Sequence, residues 1–356
     1  MMFYVKNDKK ISYDVLISDI NGGTCDDFLS SLISSIVCGV EIDLSSDSLF
    51  NRSNNISDVN DLHDRIMNSK STLLMKTSGT TGMPKTKLHK ISDLLKNTKS
   101  LSGESAWLLT YNRGHMGGVQ VILQALSNLD CLVDVYRMPR EIILNLVKNQ
   151  NVTHISATPT FYRMLLPFEE SFSSVKRVTV GGERTDTQTL NLISKMFPGA
   201  KVNNIYATTE TGAILFSNSE IFQLNDKVFV DKTLKVRMED GTIHDTGDLV
   251  QMIDETRFAF CGRNSNIINV GGNNVNPTII EDVLKSHEKI KDAVVYGRPN
   301  KLLGNVLVCD VVALKDISKE EIRNHIGCSI EQKYMHPRII KFKDELKINQ
   351  SNKVVR

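Results

Sequence analysis

Thr77-Ser78-Gly79-Thr80-Thr81-Gly82-Met83-Pro84-Lys85 is the stretch that decides how this chain folds. It follows Thr72-Leu73-Leu74-Met75, a short apolar run with strand character, so it reads as a loop leaving the end of a strand, where α/β proteins place phosphate groups. Two glycines let the backbone approach a phosphate closely, four Ser/Thr hydroxyls can donate to its oxygens, and Lys85 adds positive charge. The spacing is neither the Gly-x-x-x-x-Gly-Lys of a P-loop nor the Gly-x-Gly-x-x-Gly of dinucleotide folds. An ordinary polar turn shares this composition. The strand ahead and the lysine behind favour a loop that holds a nucleotide triphosphate.

The bulk of the chain bounds the class. Its 356 residues suffice for a large core and two domains. The 43 basic and 41 acidic residues are interspersed and leave a net charge of +2, which gives no electrostatic footprint for nucleic acid. Six cysteines form no Cys-x-x-Cys pair and no signal-peptide pattern opens the chain, so a reduced, cytoplasmic setting is expected. The apolar stretches Phe28 to Val40 and Val119 to Leu126 are too short for a membrane and read as buried helices.

From Ser105 the pattern alternates in a βαβ rhythm. Strands are expected at 106–109, 131–136, 152–157, 175–180 and 201–205, with helices at 118–126, 140–148, from Thr158-Pro159, and at 186–197. Between Ile221 and Cys261 the texture becomes short strands with turns such as Glu239-Asp240-Gly241. After Gly262-Arg263-Asn264-Ser265-Asn266 it changes again. A helix starts at Pro277, strands lie at 292–296 and 306–314, and Ser318 with Glu321 spells a capping box. A small α+β unit behind a polar hinge is expected.

Further segments carry chemistry. Gly181-Gly182-Glu183 ends a strand with a glycine pair that would let a flat ring lie against backbone. Tyr206-Ala207-Thr208-Thr209-Glu210-Thr211-Gly212 ends another. Thr246-Gly247-Asp248-Leu249 sets a carboxylate on a loop, Cys261-Gly262-Arg263 a cation at the hinge, and Asn112-Arg113-Gly114-His115-Met116-Gly117-Gly118 a histidine before two glycines. Ile268 to Glu281 contains Gly271-Gly272, and the chain closes on Asn352-Lys353-Val354-Val355-Arg356.

In their order these segments resemble the adenylate-forming superfamily, which includes acyl- and aryl-CoA ligases. The resemblance runs from residue 72 to the end. It implies an α/β fold: a large domain with parallel sheets, residues 1–263, carrying a small β-subdomain at about 220–262, and a mobile α+β lid, 264–356, turning about Ser265. Residues 1–70 are expected to hold at most one βα unit, with the first sheet trimmed.

The resemblance also implies roles. Thr77, Ser78, Gly79, Thr80, Thr81, Gly82 and Lys85 would hold the phosphates of ATP. Gly181, Gly182, Glu183, Tyr206 and Ala207 would hold adenine, and Asp248 and Arg263 the ribose. Thr209 would contact the α-phosphate and Glu210 a Mg²⁺ ion. His115 would line the carboxylate pocket, Gly271 and Gly272 the thiol channel, and Lys353 would be the catalytic lysine. Ala207 and Asn352 stand where the family usually has glycine, and Ser265 where it has Asp or Lys. The reaction implied joins a carboxylic acid to a thiol through an acyl-adenylate. The thiol would belong to coenzyme A, or to the phosphopantetheine of an acyl carrier protein. Amide formation and a non-catalytic nucleotide-binding homologue are the alternatives.

Overall fold

Asp27 and Gly39 show how closely sequence dictates the first elements. The Asp27 carboxylate accepts from the N–H groups of Leu29 and Ser30, and Gly39 ends the helix between them at φ +70°, a left-handed cap that favours glycine. This computed structural model describes the chain except residues 7–8, 24, 26, 45–52, 78–84, 102, 209–210, 239, 350–352 and 356, with backbone only at Lys76, Thr77 and Lys85. By internal packing it divides into two compact units, Met1–Ser156 with Ser174–Arg177, and Ala157–Ser173 with Val178–Arg356.

The first unit opens with strands β1 (Met2–Lys6) and β2 (Lys9–Ser12), helices α1 (Tyr13–Gly22) and α2 (Phe28–Cys38), strand β3 (Glu41–Asp43) and helix α3 (Val59–Met67). Then come β4 (Thr72–Thr77), β5 (Lys85–Lys90), α4 (Ile91–Leu95), β6 (Ala106–Leu109), α5 (Met116–Leu126), β7 (Cys131–Asp134), α6 (Arg140–Asn149) and β8 (His154–Ala157). Strands β1, β7, β6 and β8 run parallel in that order, and β2 adds an antiparallel edge. A second small sheet, β3-β4-β5, packs through Ile42, Leu73 and Met75 into the core that α1, α2, α3 and α5 share.

More than one βα unit therefore precedes residue 70, contrary to expectation. Strand β1 has only Phe3-Tyr4-Val5 as an apolar core, too few residues to show a period, yet all three are buried and it pairs with β7. Strand β5, Lys-Thr-Lys-Leu-His-Lys, is too polar to announce itself. It pairs antiparallel with β4 from Thr72↔Lys90 to Thr77↔Lys85, so the hydroxyl-rich stretch joins two paired strands.

In this unit Trp107 separates two buried titratable groups. Its ring stacks on His154 at 4.4 Å, and its Nε1 donates to Asp130 at 3.0 Å.

The second unit contains α7 (Pro159–Met164), β9 (Arg177–Gly181), α8 (Thr187–Met196), β10 (Lys201–Thr208) and β11 (Gly212–Ser217), with sheet order β9-β10-β11. Short strands follow as expected: β12 (Ile221–Gln223), β13 (Val228–Asp231), β14 (Thr233–Arg237), β15 (Ile243–Asp245), β16 (Asp248–Met252) and β17 (Arg257–Arg263). They form the sheets β12-β17-β16 and β13-β14-β15 over a core of Leu215, Phe222, Val228, Leu234, Val236 and Phe258.

A 3-10 turn at Asn264–Asn266 leads to β18 (Ile268–Val270), β19 (Asn273–Val275), α9 (Pro277–Lys285), β20 (Ile290–Asn300), β21 (Gly304–Ala313), α10 (Lys319–Ser329) and β22 (Ile339–Phe342). These have their own apolar core, from Val270 to Ile340. Only half of the capping box forms. Ser318 Oγ accepts from the Glu321 N–H, but Glu321 turns instead to Lys289 Nζ at 2.7 Å, a charged donor that outbids a backbone amide.

Candidate functional site

The ends of β9, β10, β16 and β17 converge in the second unit, and so do the residues singled out there. Gly181 closes β9 so near its neighbour that a Cβ built on it would lie 2.8 Å from the Ile205 carbonyl oxygen. Only glycine fits without shifting that backbone. Tyr206, on β10, stacks one face on Phe260 at 4.5 Å and donates its hydroxyl to Asp248 Oδ2 at 2.6 Å. Asp248, almost buried at the start of β16, accepts Arg263 Nε on its other oxygen at 2.7 Å. Burial, then the Asp248 charge, pushes the Tyr206 pKa upward, so the phenol stays a donor. The register pairs Asp248 with Arg263 across β16 and β17, which explains why residues 15 positions apart meet.

Lys353 comes to the same place from the end of the chain. Its backbone is fixed in a closing hairpin: Asn349 N–H donates to the Lys353 carbonyl, Val355 N–H to that of Lys347, and Asn349 Oδ1 accepts from Lys353 N–H. Its side chain runs along the Gly182 turn, where a Cβ on Gly182 would lie 3.5 Å from Cε and 3.8 Å from Nζ. Burial draws the ammonium's pKa down, Glu183 and Asp248 pull it back up, and Arg263 presses it lower. A cation so placed, ringed by a glycine turn and a carboxylate, suits an anionic group.

The Glu183 carboxylate spans two segments. Oε2 accepts the hydroxyl and N–H of Thr160 at 2.7 and 3.2 Å, and Oε1 accepts the Val354 N–H at 3.1 Å. Around it lies a set of ion pairs that the sequence did not announce. Arg184 meets Asp282, Lys285 meets Asp186 and Arg163 meets Asp292. Burial opposes the Asp186 charge, but Lys285 and Arg163 outweigh it and hold that carboxyl below its usual range.

His115 lies in the first unit. It is the N-cap of α5, its Nδ1 accepting from the Gly117 N–H at 3.2 Å while its ring stacks on Tyr111. The turn before it is anchored by Arg113, whose guanidinium contacts Asp134 and the Tyr4 hydroxyl. Arg113 stood within the quoted segment, but its partners lie 21 and 109 residues away and carry no local signal. Gly271 and Gly272 form the β18–β19 turn with positive φ, +58° and +84°, and Gly271 N–H donates to the Leu303 carbonyl.

Ser78, Gly79, Thr80, Thr81, Gly82, Thr209 and Glu210 lie outside the described residues, as do the side chains of Thr77 and Lys85. Ala207 pairs with Ala213 beside the bulge at Ile214, where β11 shifts register against β10. Among the described residues no group of three or more His, Cys, Asp and Glu could hold a metal ion, and no helix is long and apolar enough to cross a membrane.

Residues 33–236 match the family model of the AMP-binding enzymes, and residues 279–353 match that of the AMP-binding enzyme C-terminal domain. The chain belongs to the AMP-binding enzyme family. Among curated relatives, a 2-succinylbenzoate–CoA ligase of Lactococcus lactis is 25% identical over 328 residues, covering 81% of this chain and 70% of that protein. A human mitochondrial acyl-coenzyme A synthetase, ACSM1, is 23% identical over 348 residues, covering 79% of this chain and 59% of that protein. Among solved structures, the o-succinylbenzoate CoA synthetase of Bacillus subtilis with its acyl-adenylate intermediate superposes with a TM-score of 0.67 at 19% identity, covering 99% of this chain and 94% of that one. The adenylate-forming fold expected from the sequence is the fold observed.

Proposed function

We propose that this enzyme activates a carboxylic acid with ATP and passes the acyl group to a thiol, as an acyl- or aryl-CoA ligase. In the first step a carboxylate oxygen attacks the α-phosphorus of ATP. The bond to the bridging oxygen breaks, and pyrophosphate leaves with the electron pair. In the second step a thiolate attacks the acyl carbonyl and AMP leaves.

The observation that supports this reading is that Lys353 lies along the Gly182 turn, within electrostatic reach of Asp248 and Arg263, which are joined to each other and to Tyr206. On this reading Asp248 and Arg263 hold the ribose, and Tyr206 offers adenine the ring face turned away from Phe260. Lys353 neutralises charge shared by the carboxylate and the α-phosphate. A fixed cation in a water-poor site is worth on the order of 10²-fold or more in rate. Residues 77–85 hold the phosphates, Thr209 the α-phosphate and Glu210 the Mg²⁺ ion, which would supply charge neutralisation at the phosphate oxygens. His115 lines the acid pocket. Residues 264–356 act as a lid that turns about Ser265 and brings Gly271 and Gly272 to the thiol, for which the relatives' named acceptor, coenzyme A, is the first choice.

The test is incubation with Mg·ATP, hydroxylamine and a panel of acids headed by 2-succinylbenzoate, benzoate and medium-chain fatty acids, with hydroxamate and pyrophosphate measured. A signal for one acid class that collapses in Lys353→Ala supports the reading; replacing hydroxylamine by coenzyme A then tests the acceptor. Equal signals in the wild type and Lys353→Ala would refute it. ATP binding with no pyrophosphate release for any acid would favour a non-catalytic homologue.

A further inference from the structure

We infer that Glu183 is a positioning residue for Lys353, holding the C-terminal hairpin in the pose in which its ammonium reaches the reaction centre. This rests on the reading of Lys353 given above. The argument starts from where hydrogen-bond donors point. In the closing hairpin the N–H groups of Asn349 and Val355 are used across the hairpin, whereas the Val354 N–H points out of it and ends on Glu183 Oε1 at 3.1 Å. The other carboxylate oxygen is fixed by the Thr160 hydroxyl and N–H, so Glu183 cannot follow the hairpin if it moves. It is an anchored acceptor facing a segment whose ladder is only a few residues long. The neighbouring residue of that segment is Lys353. A carboxylate accepting from an amide makes a charge-assisted bond, stronger than a neutral one.

The same carboxylate also acts on the ammonium through space. The charged groups facing Lys353 are Glu183 and Asp248, which favour its protonated form, and Arg263, which opposes it. Removing the Glu183 charge leaves burial and Arg263 opposed by Asp248 alone, so the ammonium is lost at lower pH. The glutamate thus fixes both where the cation sits and over what pH range it exists. A residue that only stabilised the β9–α7 junction would do neither.

The experiment compares wild type, Glu183→Gln and Val354→Pro. Proline removes the amide donor without touching Glu183, and it leaves the Asn349 and Val355 hydrogen bonds in place. Three quantities are read: the acetylation rate of Lys353 by acetic anhydride, followed by peptide mass spectrometry; hydroxamate formation against pH with the acid found in the panel; and consumption by coenzyme A of the matching acyl-adenylate, made chemically. Both variants should acetylate Lys353 several-fold faster than the other lysines change. Both should lose roughly 10- to 100-fold in hydroxamate formation, as small misplacements of reacting groups do. The alkaline limb should move to lower pH in Glu183→Gln, and in Val354→Pro, which leaves every nucleotide-site side chain in place, adenylate consumption should hold at the wild-type rate. Unchanged acetylation, or an equal fall in both half-reactions in Val354→Pro, would overturn the inference. If Lys353→Ala keeps full adenylation, the proposed function fails first. If Lys353→Ala is inactive while both test variants behave as wild type, the inference about Glu183 fails alone.

Discussion

Removing the carboxylate of Asp292 should cost the second unit about 3 kcal/mol. Arg163 is 9% exposed and Asp292 7%, and Nε meets Oδ2 at 3.0 Å. At that distance two unit charges attract by roughly 5 kcal/mol at an effective dielectric constant of about 20. Part of this survives in Asp292→Ala, because the Thr160 and Thr189 hydroxyls still accept from the guanidinium and the charges of Asp186 and Glu183 still act on it. That places the loss near the lower end of the 3–5 kcal/mol typical when one partner of a buried pair is removed. With m of about 2–3 kcal/mol per molar urea, the midpoint should fall by at least about 1 M. The double variant Arg163→Met with Asp292→Ala removes both charges, and should recover most of the loss. Urea titrations followed by far-ultraviolet circular dichroism measure both. A single variant within about 0.5 kcal/mol of wild type, the level of an ordinary surface change, would refute the reasoning. So would a double variant no more stable than the single one.

Other consequences can be measured directly. Gly181→Ala would bring a Cβ to 2.8 Å from the Ile205 carbonyl oxygen, so it should lose about 1–3 kcal/mol in thermal unfolding; an unchanged melting temperature would show that β9 and β10 can separate freely. Asp248→Asn leaves one acceptor oxygen for two donors, Tyr206 and Arg263, and should weaken ATP binding by roughly 10-fold or more in calorimetry; equal affinity would remove Asp248 from the nucleotide site. Burial holds Asp130 up at about 6, and burial with Arg177 and Lys176 holds His154 down at about 4, so between those values rising pH costs the stability carried by neutral Asp130 and restores that carried by neutral His154. Wild-type stability should be nearly flat there, while His154→Phe falls with pH and Asp130→Asn rises, by on the order of 3 kcal/mol each; parallel curves for all three would sink the argument.

What could be read in the sequence was whatever a residue decides for its own neighbourhood. The alternation from Ser105 onward gave strands and helices near their observed bounds because apolar period, caps and turns are local. Pro159 and Pro277 each open a helix, with Thr158 and Asn276 as the capping side chains. Asp248, Tyr206 and Arg263 could be named because each sits in a short segment that resembles one of the family's, in the family's order. Their mutual hydrogen bonds could not, since these depend on the register of β16 against β17 and on where β10 ends. The ion pairs were hidden for the same reason. Arg163 and Asp292 are 129 residues apart, and each alone looks like any charged residue of a soluble protein. Strand β1 escaped because its pairing partner β7, not its composition, makes it a strand.

The distribution of apolar and polar contacts in the second unit bears on the proposed two-step reaction. The short strands of residues 212–263 and the elements of residues 264–356 each keep their own apolar core, one from Leu215 to Phe258 and the other from Val270 to Ile340. Residues 157–263 and 264–356 are joined by a set of polar links: Arg184 to Asp282, Lys285 to Asp186, Arg163 to Asp292, Glu183 to the Val354 N–H, and Lys291 to the Leu166 carbonyl. An apolar seam would lose about 25 cal/mol for every Å² exposed on opening. Ionic and hydrogen-bonding groups regain water when they part, so the net cost of separation is a small difference between large terms. A ligase that must present Lys353 in one half-reaction and withdraw it in the next needs such a joint, strong enough to order the first pose and cheap enough to leave it. On that argument the two least hydrated of these links, Lys285 to Asp186 and Arg163 to Asp292, bear on the balance between the two half-reactions more than Ser265, where the chain only has to bend.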